Sequence, residues 1–168
     1  PRRRAPPSPR RPADPAREHA SARMSSADAV AFFDACRAGN VLVVRSLLAS
    51  GANANQTYPH VRSTALMAAC GNGHVGVASL LLRAGADVNR GRDGFRPLGV
   101  ACALGHSLVV RLLLRQDGLD VNRPGKKGFT PFWTACDFGH PAVVELMLQR
   151  EDLDANAEDD NGLTPLLA

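Results

Sequence analysis

A glycine followed by Asn or His recurs four times, at Gly39-Asn40, Gly73-His74, Gly105-His106 and Gly139-His140, at spacings of 34, 32 and 34 residues. A chain that repeats itself at such an interval folds as a stack of like units, each buried only against its neighbours. The rest of the chain keeps the same register. An Ala-Cys pair precedes each glycine, at Ala35-Cys36, Ala69-Cys70, Ala101-Cys102 and Ala135-Cys136. Four residues after it stands a valine (Val43, Val77, Val109, Val143) and eight after it Leu47, Leu81, Leu113 or Met147. Each unit closes on an asparagine, at Asn55, Asn89, Asn122 and Asn156. The unit therefore reads as a short helix, a glycine turn, a second apolar helix and an extended loop. Thr130-Pro131 is a sound helix start, because Pro loses no hydrogen bond at the first helical position and Thr caps the free amides. Gly51 and Gly85 suit the left-handed residue that ends a second helix. In the third and fourth units that turn becomes Gln116-Asp117-Gly118-Leu119 and Arg150-Glu151-Asp152-Leu153, and the leucines are expected to cover the core where Ala52 and Ala86 sit.

At these residues the chain resembles the ankyrin repeat family, whose unit is a β-turn and two antiparallel helices with a T-P-L-H-x-A start. The matches are Thr130-Pro131, Thr164-Pro165, the Gly-His pairs, Leu80-Leu81-Leu82 with Gly85-Ala86-Asp87-Val88-Asn89, and Leu112-Leu113-Leu114 with Asp120-Val121-Asn122. The resemblance implies an all-α solenoid of stacked helix-turn-helix units with extended hairpin-like loops. Its units fall at about 27–60, 61–92, 93–126 and 127–160, with a partial fifth at 161–168. Where the family has the His of T-P-L-H, this chain has Phe33, Met67, Gly99, Trp133 and Leu167. Packing is expected to replace the hydrogen-bond network of that histidine. The first unit lacks the loop and the Thr-Pro start, which fits an N-terminal cap.

The net charge of +4 and the pI near 9.3 belong to one end of the chain. Residues 1–25 hold seven Arg against Asp14 and Glu18, whereas the rest carries 13 basic and 14 acidic side chains. A nucleic-acid-binding surface on the repeats thus has no support from charge. Residues 1–25 also hold six of the twelve prolines and only Met24 as a sizeable apolar side chain, so they read as a disordered basic tail. Met24 is a candidate translation start, and the chain reads as a piece of a longer protein. The apolar runs Val41–Val44 and Leu80–Leu82 fall far short of the roughly 18 residues of a membrane span.

The residues that look chemical are better explained by the frame. The four cysteines share one slot of successive units and none forms a C-x-x-C pair. Stacked helices lie about 8–10 Å apart, beyond the roughly 7 Å Cα separation a disulfide tolerates, so buried thiols are expected and a cytoplasmic or nuclear, reducing setting with them. His74, His106 and His140 stand one per unit at the start of each second helix, where a structural hydrogen bond is expected and a metal is not. Asp152, Asp154 and Asn156 match the first three EF-hand ligand positions, but Ala157 and Leu163 stand where the turn Gly and the bidentate Glu must be. Neither a G-x-S-x-G, an H-E-x-x-H nor a Walker A pattern occurs. The expectation is a non-catalytic protein without cofactor or metal.

The resemblance implies partner binding through loop tips and the first-helix ends that face the concave groove. Those slots hold Tyr58, His60 and Arg62, then Arg92, Asp93 and Phe95, then Lys126, Lys127 and Phe129, then Glu158, Asp160 and Leu163, with Asn72, Leu104, Asp137 and Phe138 on the helices. Phe95, Phe129 and Leu163 occupy one position in three successive units, just before Arg96, Thr130 and Thr164. Basic tips beside them mark Arg92, Phe95, Lys126, Lys127, Phe129 and Phe138 as the expected contact strip, for a protein with an acidic and apolar face. The function expected is that of a monomeric interaction module or scaffold; the alternative is the targeting arm of a longer enzyme or channel.

Overall fold

The computed structural model describes residues 25–58, 63–92 and 94–165. The expected tail, the slots at His60, Arg62 and Asp93, and the last three residues of the partial fifth unit lie outside the described residues. The elements run α1 (Ser26–Ala38), α2 (Val41–Ala49), β1 (Thr57–Tyr58), β2 (Ser63–Thr64), α3 (Ala65–Gly71), α4 (Val75–Arg83), α5 (Pro97–Ala103), α6 (Ser107–Leu113), α7 (Pro131–Asp137) and α8 (Pro141–Met147). They pair as four helical hairpins. First helices pack on first helices along the stack and second helices on second helices. The only strands among the described residues are β1 and β2, an antiparallel hairpin in the loop before α3.

The ends of the helices follow from their sequences. Ser25 and Asp28 form a capping box on α1, with the Asp28 amide donating to Ser25 Oγ at 3.1 Å. Thr64 and Thr130 cap α3 and α7 by accepting from the Met67 and Trp133 amides, both at 3.1 Å. The glycine of each hairpin turn is left-handed, from Gly39 at φ 76° to Gly139 at φ 67°.

Two ladders of side-chain hydrogen bonds tie each unit to the next. His74, His106 and His140 donate from Nε2 to the carbonyls of Arg37, Gly71 and Ala103 in the preceding unit, each at 3.0 Å. The turn glycine makes room for that ring, since a Cβ on Gly39 would lie 2.6 Å from His74 Nδ1. On the outer side, Asn55, Asn89 and Asn122 each donate to a carbonyl of the next unit (Gly85, Gly118 and Asp152, at 2.7, 2.6 and 2.6 Å). Each also accepts from an amide there, of Asp87, Asp120 or Asp154. The recurring His and Asn of the sequence are thus the couplings between units.

The core runs the length of the stack. Cys36, Cys70 and Cys102 are fully buried, as expected, but Cys136 is only half-buried. Val77, Val109 and Val143 are buried, whereas Val43 is exposed and its neighbour Val44 is buried instead. The reason is that these adjacent positions face opposite neighbours. No described unit precedes α2 to cover Val43, and none follows α8, where Val144 is correspondingly half-buried. Leu119 is buried where Ala86 sits one unit earlier, as the longer turn required; Leu153 is half-buried.

Candidate partner-binding groove

Four units share one frame, but one first-helix slot is filled differently in each. Six residues before the turn glycine stand Phe33, Met67 and Trp133, all buried at 6% exposure. In the third unit the slot holds Gly99, and a Cβ built there would meet nothing within 4 Å. A groove of about 470 Å³ opens at this gap, between α5 and α7 and beneath the loops that precede them. Its floor and walls are mainly apolar: Gly99, Val100 and Leu104 from the third unit, Phe129, Trp133 and Phe138 from the fourth. Val100 leans towards Gly71 of the preceding unit, where a Cβ would come within 3.0 Å of it.

The two loop aromatics beside the groove differ because the residue four positions on differs. Phe129 stacks on Trp133 with ring centroids 3.9 Å apart and planes 9° from parallel. Phe95 has Gly99 at that position, finds no ring to lie on, and stays 52% exposed with Lys126 Nζ 5.0 Å from its centroid. The tip that carries it is a tight turn in which Arg92 and Phe95 exchange both backbone hydrogen bonds at 2.9 Å. Phe138 and Leu104 end their helices in equivalent positions, 60% and 53% exposed. Trp133 replaces the volume of the family's histidine but not its bonding, for its buried Nε1 has no hydrogen-bond partner among the described residues.

Cations dominate the rim. Arg96, Arg123 and Lys126 line the groove with Asp120 and Asp137. Arg96 donates from Nη1 to the Pro124 carbonyl at 3.1 Å. Burial and the neighbouring Arg123 charge push its guanidinium below the ordinary arginine value, with Asp120 opposing. Among the described residues, neither Arg123 nor Lys126 belongs to an ion pair.

Of the expected strip, Phe95, Lys126, Phe129 and Phe138 come together around the groove. Arg92 and Lys127 are exposed on the adjoining tips but do not line it. Lys127 holds a left-handed backbone at φ 58°, and its carbonyl accepts from the Asp160 amide of the next loop at 3.1 Å. Of the three equivalent apolar tips, Phe95 and Leu163 are exposed, whereas Phe129 is half-buried because Trp133 gives it a ring to stack on. Arg96, Gly99, Trp133 and Arg123 were missed by the motif reading. The signal was present in the departure at Gly99, the one slot filled by no side chain.

Burial pushes the thiols of Cys36, Cys70 and Cys102 up to about 12, and that of Cys136 upward as well. Such thiols are poor nucleophiles and poor ligands at neutral pH. Among the described residues no three His, Cys, Asp or Glu side chains gather as a metal site. In the acidic run, Asp152 pairs with Arg150 at 2.8 Å, and Asp154 accepts from the Asn156 amide at 3.0 Å. Asp159 accepts from the Asn161 and Leu163 amides, both at 2.8 Å, which holds its carboxyl below the usual range.

A family model described as ankyrin repeats (3 copies) matches residues 32–125, and another described as ankyrin repeats (many copies) matches residues 112–166. Among curated proteins, none matches the chain.

Proposed function

Since the chain belongs to the ankyrin repeat family, whose repeats are generally non-catalytic modules of protein–protein interaction, we propose that it binds another protein through the concave groove between its third and fourth units. Arg92, Phe95, Lys126, Lys127, Phe129 and Phe138 form the contact strip, and the partner presents an acidic and apolar face. The chain acts as a monomeric scaffold or adaptor in the cytosol or nucleus. No helix among the described residues is long and apolar enough to cross a membrane.

The observation that carries this reading is the groove itself, with exposed aromatic side chains beside cations that form no ion pair among the described residues. Desolvated aromatic anchors supply most of the energy of an interface, while charges of one sign steer a partner of the other. Units already locked by the His and Asn ladders lose little freedom on binding. The test is selection of a displayed random-peptide library on the immobilised full chain, followed by binding of the enriched peptides to Phe138→Ala and Lys126→Glu. Acidic, apolar peptides that lose at least tenfold in affinity to each variant are expected. Enrichment of basic peptides, or equal binding to the variants, would place the binding surface elsewhere.

A further inference from the structure

The groove has a shape more specific than a binding strip requires, and its cause is one absent side chain. At the equivalent slot the chain itself places Phe33, Met67 and Trp133, each almost wholly buried. The third unit keeps the frame and omits the occupant, leaving apolar walls around open space at Gly99. Leaving an apolar surface of that size exposed to water is unfavourable, and a side chain delivered from outside would remove it from water. The charged lining is Arg96, Arg123 and Lys126 against Asp120 and Asp137, so cations outnumber carboxylates, and neither Arg123 nor Lys126 is ion-paired among the described residues. We infer that the Gly99 gap receives one large apolar side chain, of Phe or Leu type, from an acidic segment of the partner protein. This inference rests on the binding reading above and adds the residue class that the site selects.

The sister units set what fits. Their occupants are all long or aromatic, so a Phe or Leu fills the gap and an Ala leaves most of it empty. Carboxylates on either side of the inserted residue meet the Arg123 and Lys126 cations, whereas basic flanks are repelled. The volume of about 470 Å³ leaves room for the adjoining backbone beside the side chain. It lies within the roughly 300–1,000 Å³ of ordinary ligand pockets.

The experiment uses the full chain and capped nonapeptides without Trp, alike in their Asp and Glu flanks and carrying Phe, Leu or Ala at the centre. Trp133 is the single tryptophan of the protein and lines the groove, so its fluorescence reports occupancy directly. The Phe and Leu peptides should bind at least tenfold tighter than the Ala peptide, about 1.4 kcal/mol, and should change the Trp133 emission. Gly99→Met, which writes the second unit's residue into the third, should abolish that preference while the melting temperature holds or rises. Gly99→Ala should retain the fold and most of the preference, which guards against a Met variant that packs badly. Equal binding of the Phe and Ala peptides, or a preference that survives Gly99→Met, overturns the inference. If that preference survives while Phe138→Ala and Lys126→Glu still abolish binding, the interaction reading stands and only the pocket is lost. Decanoate competing as strongly as the Phe peptide would mark the gap as a site for small amphiphiles, and also overturns it.

Discussion

The third and fourth units are built on the same frame and differ at one consequential position. Each begins with an aromatic loop residue, Phe95 or Phe129, followed by a helix opening on Pro97 or Pro131. In the fourth unit Trp133 fills the inner slot and draws Phe129 down onto its face. In the third, Gly99 leaves the slot empty and Phe95 stays in water. Contact between a loop residue and the helix residue four positions on thus makes a sealed seam in one unit, and its absence an open groove in the other. A solenoid can acquire a binding site by deleting a side chain, because the neighbouring units hold the walls in place.

The two units can be driven apart or made alike, and alkali should give the largest effect. In the folded state the thiols of Cys36, Cys70 and Cys102 are raised from 9.0 to about 12, so the native chain holds these protons more tightly than the unfolded one. Their stabilising contribution is complete below about pH 9 and is lost as the pH climbs towards 12. Denaturation followed by circular dichroism should show stability falling steeply over that window. Within the comparison, iodoacetamide on the native protein at pH 8 should label half-buried Cys136 before Cys102; equal rates would mean that the two thiols are equally covered.

Trp133→Gly should come next, making the fourth unit imitate the third. Removing a buried aromatic side chain costs roughly 3–5 kcal/mol, read as a lower urea midpoint, and Phe129 should become as accessible as Phe95. A loss below about 1 kcal/mol would mean that the seam contributes little. Alanine at the two loop aromatics gives a smaller contrast. Phe129→Ala should lower stability by roughly 1–2 kcal/mol through lost stacking and burial, whereas Phe95→Ala should stay within about 0.5 kcal/mol, as exposed side chains do. Equal losses would show that Phe95 packs in solution. Smallest is Gly99→Ala, which should stabilise by about 0.5–1 kcal/mol because glycine costs a helix interior entropy and the added methyl meets nothing. A destabilised variant would show the gap to be already occupied.

The fold was legible in the sequence because the repeat leaves little freedom. Glycine at a fixed interval dictates left-handed turns, Thr130 dictates a helix start, and the alternation of Cys, Val and Leu slots dictates which faces meet. The recurrence of His and Asn marked couplings whose partners only the stack reveals, since each bond joins residues 29 to 37 positions apart. The expected strip was legible only in part. Loop tips could be counted, and Phe95, Lys126 and Phe138 do stand together at the groove.

What the sequence determined, then, is what local spacing sets: four helical hairpins, their glycine turns and the helix start at Thr130. The tertiary structure alone decided which apolar side chains are covered. Val43 and Val77 occupy the same register position, and only the presence of a preceding unit separates the exposed one from the buried one. Phe95 and Phe129 are likewise equivalent in sequence and differ through what stands four residues on and one unit away. Exposure is a property of neighbours, not of residues, so the missing side chain at Gly99 became a groove only once α5 and α7 were stacked around it.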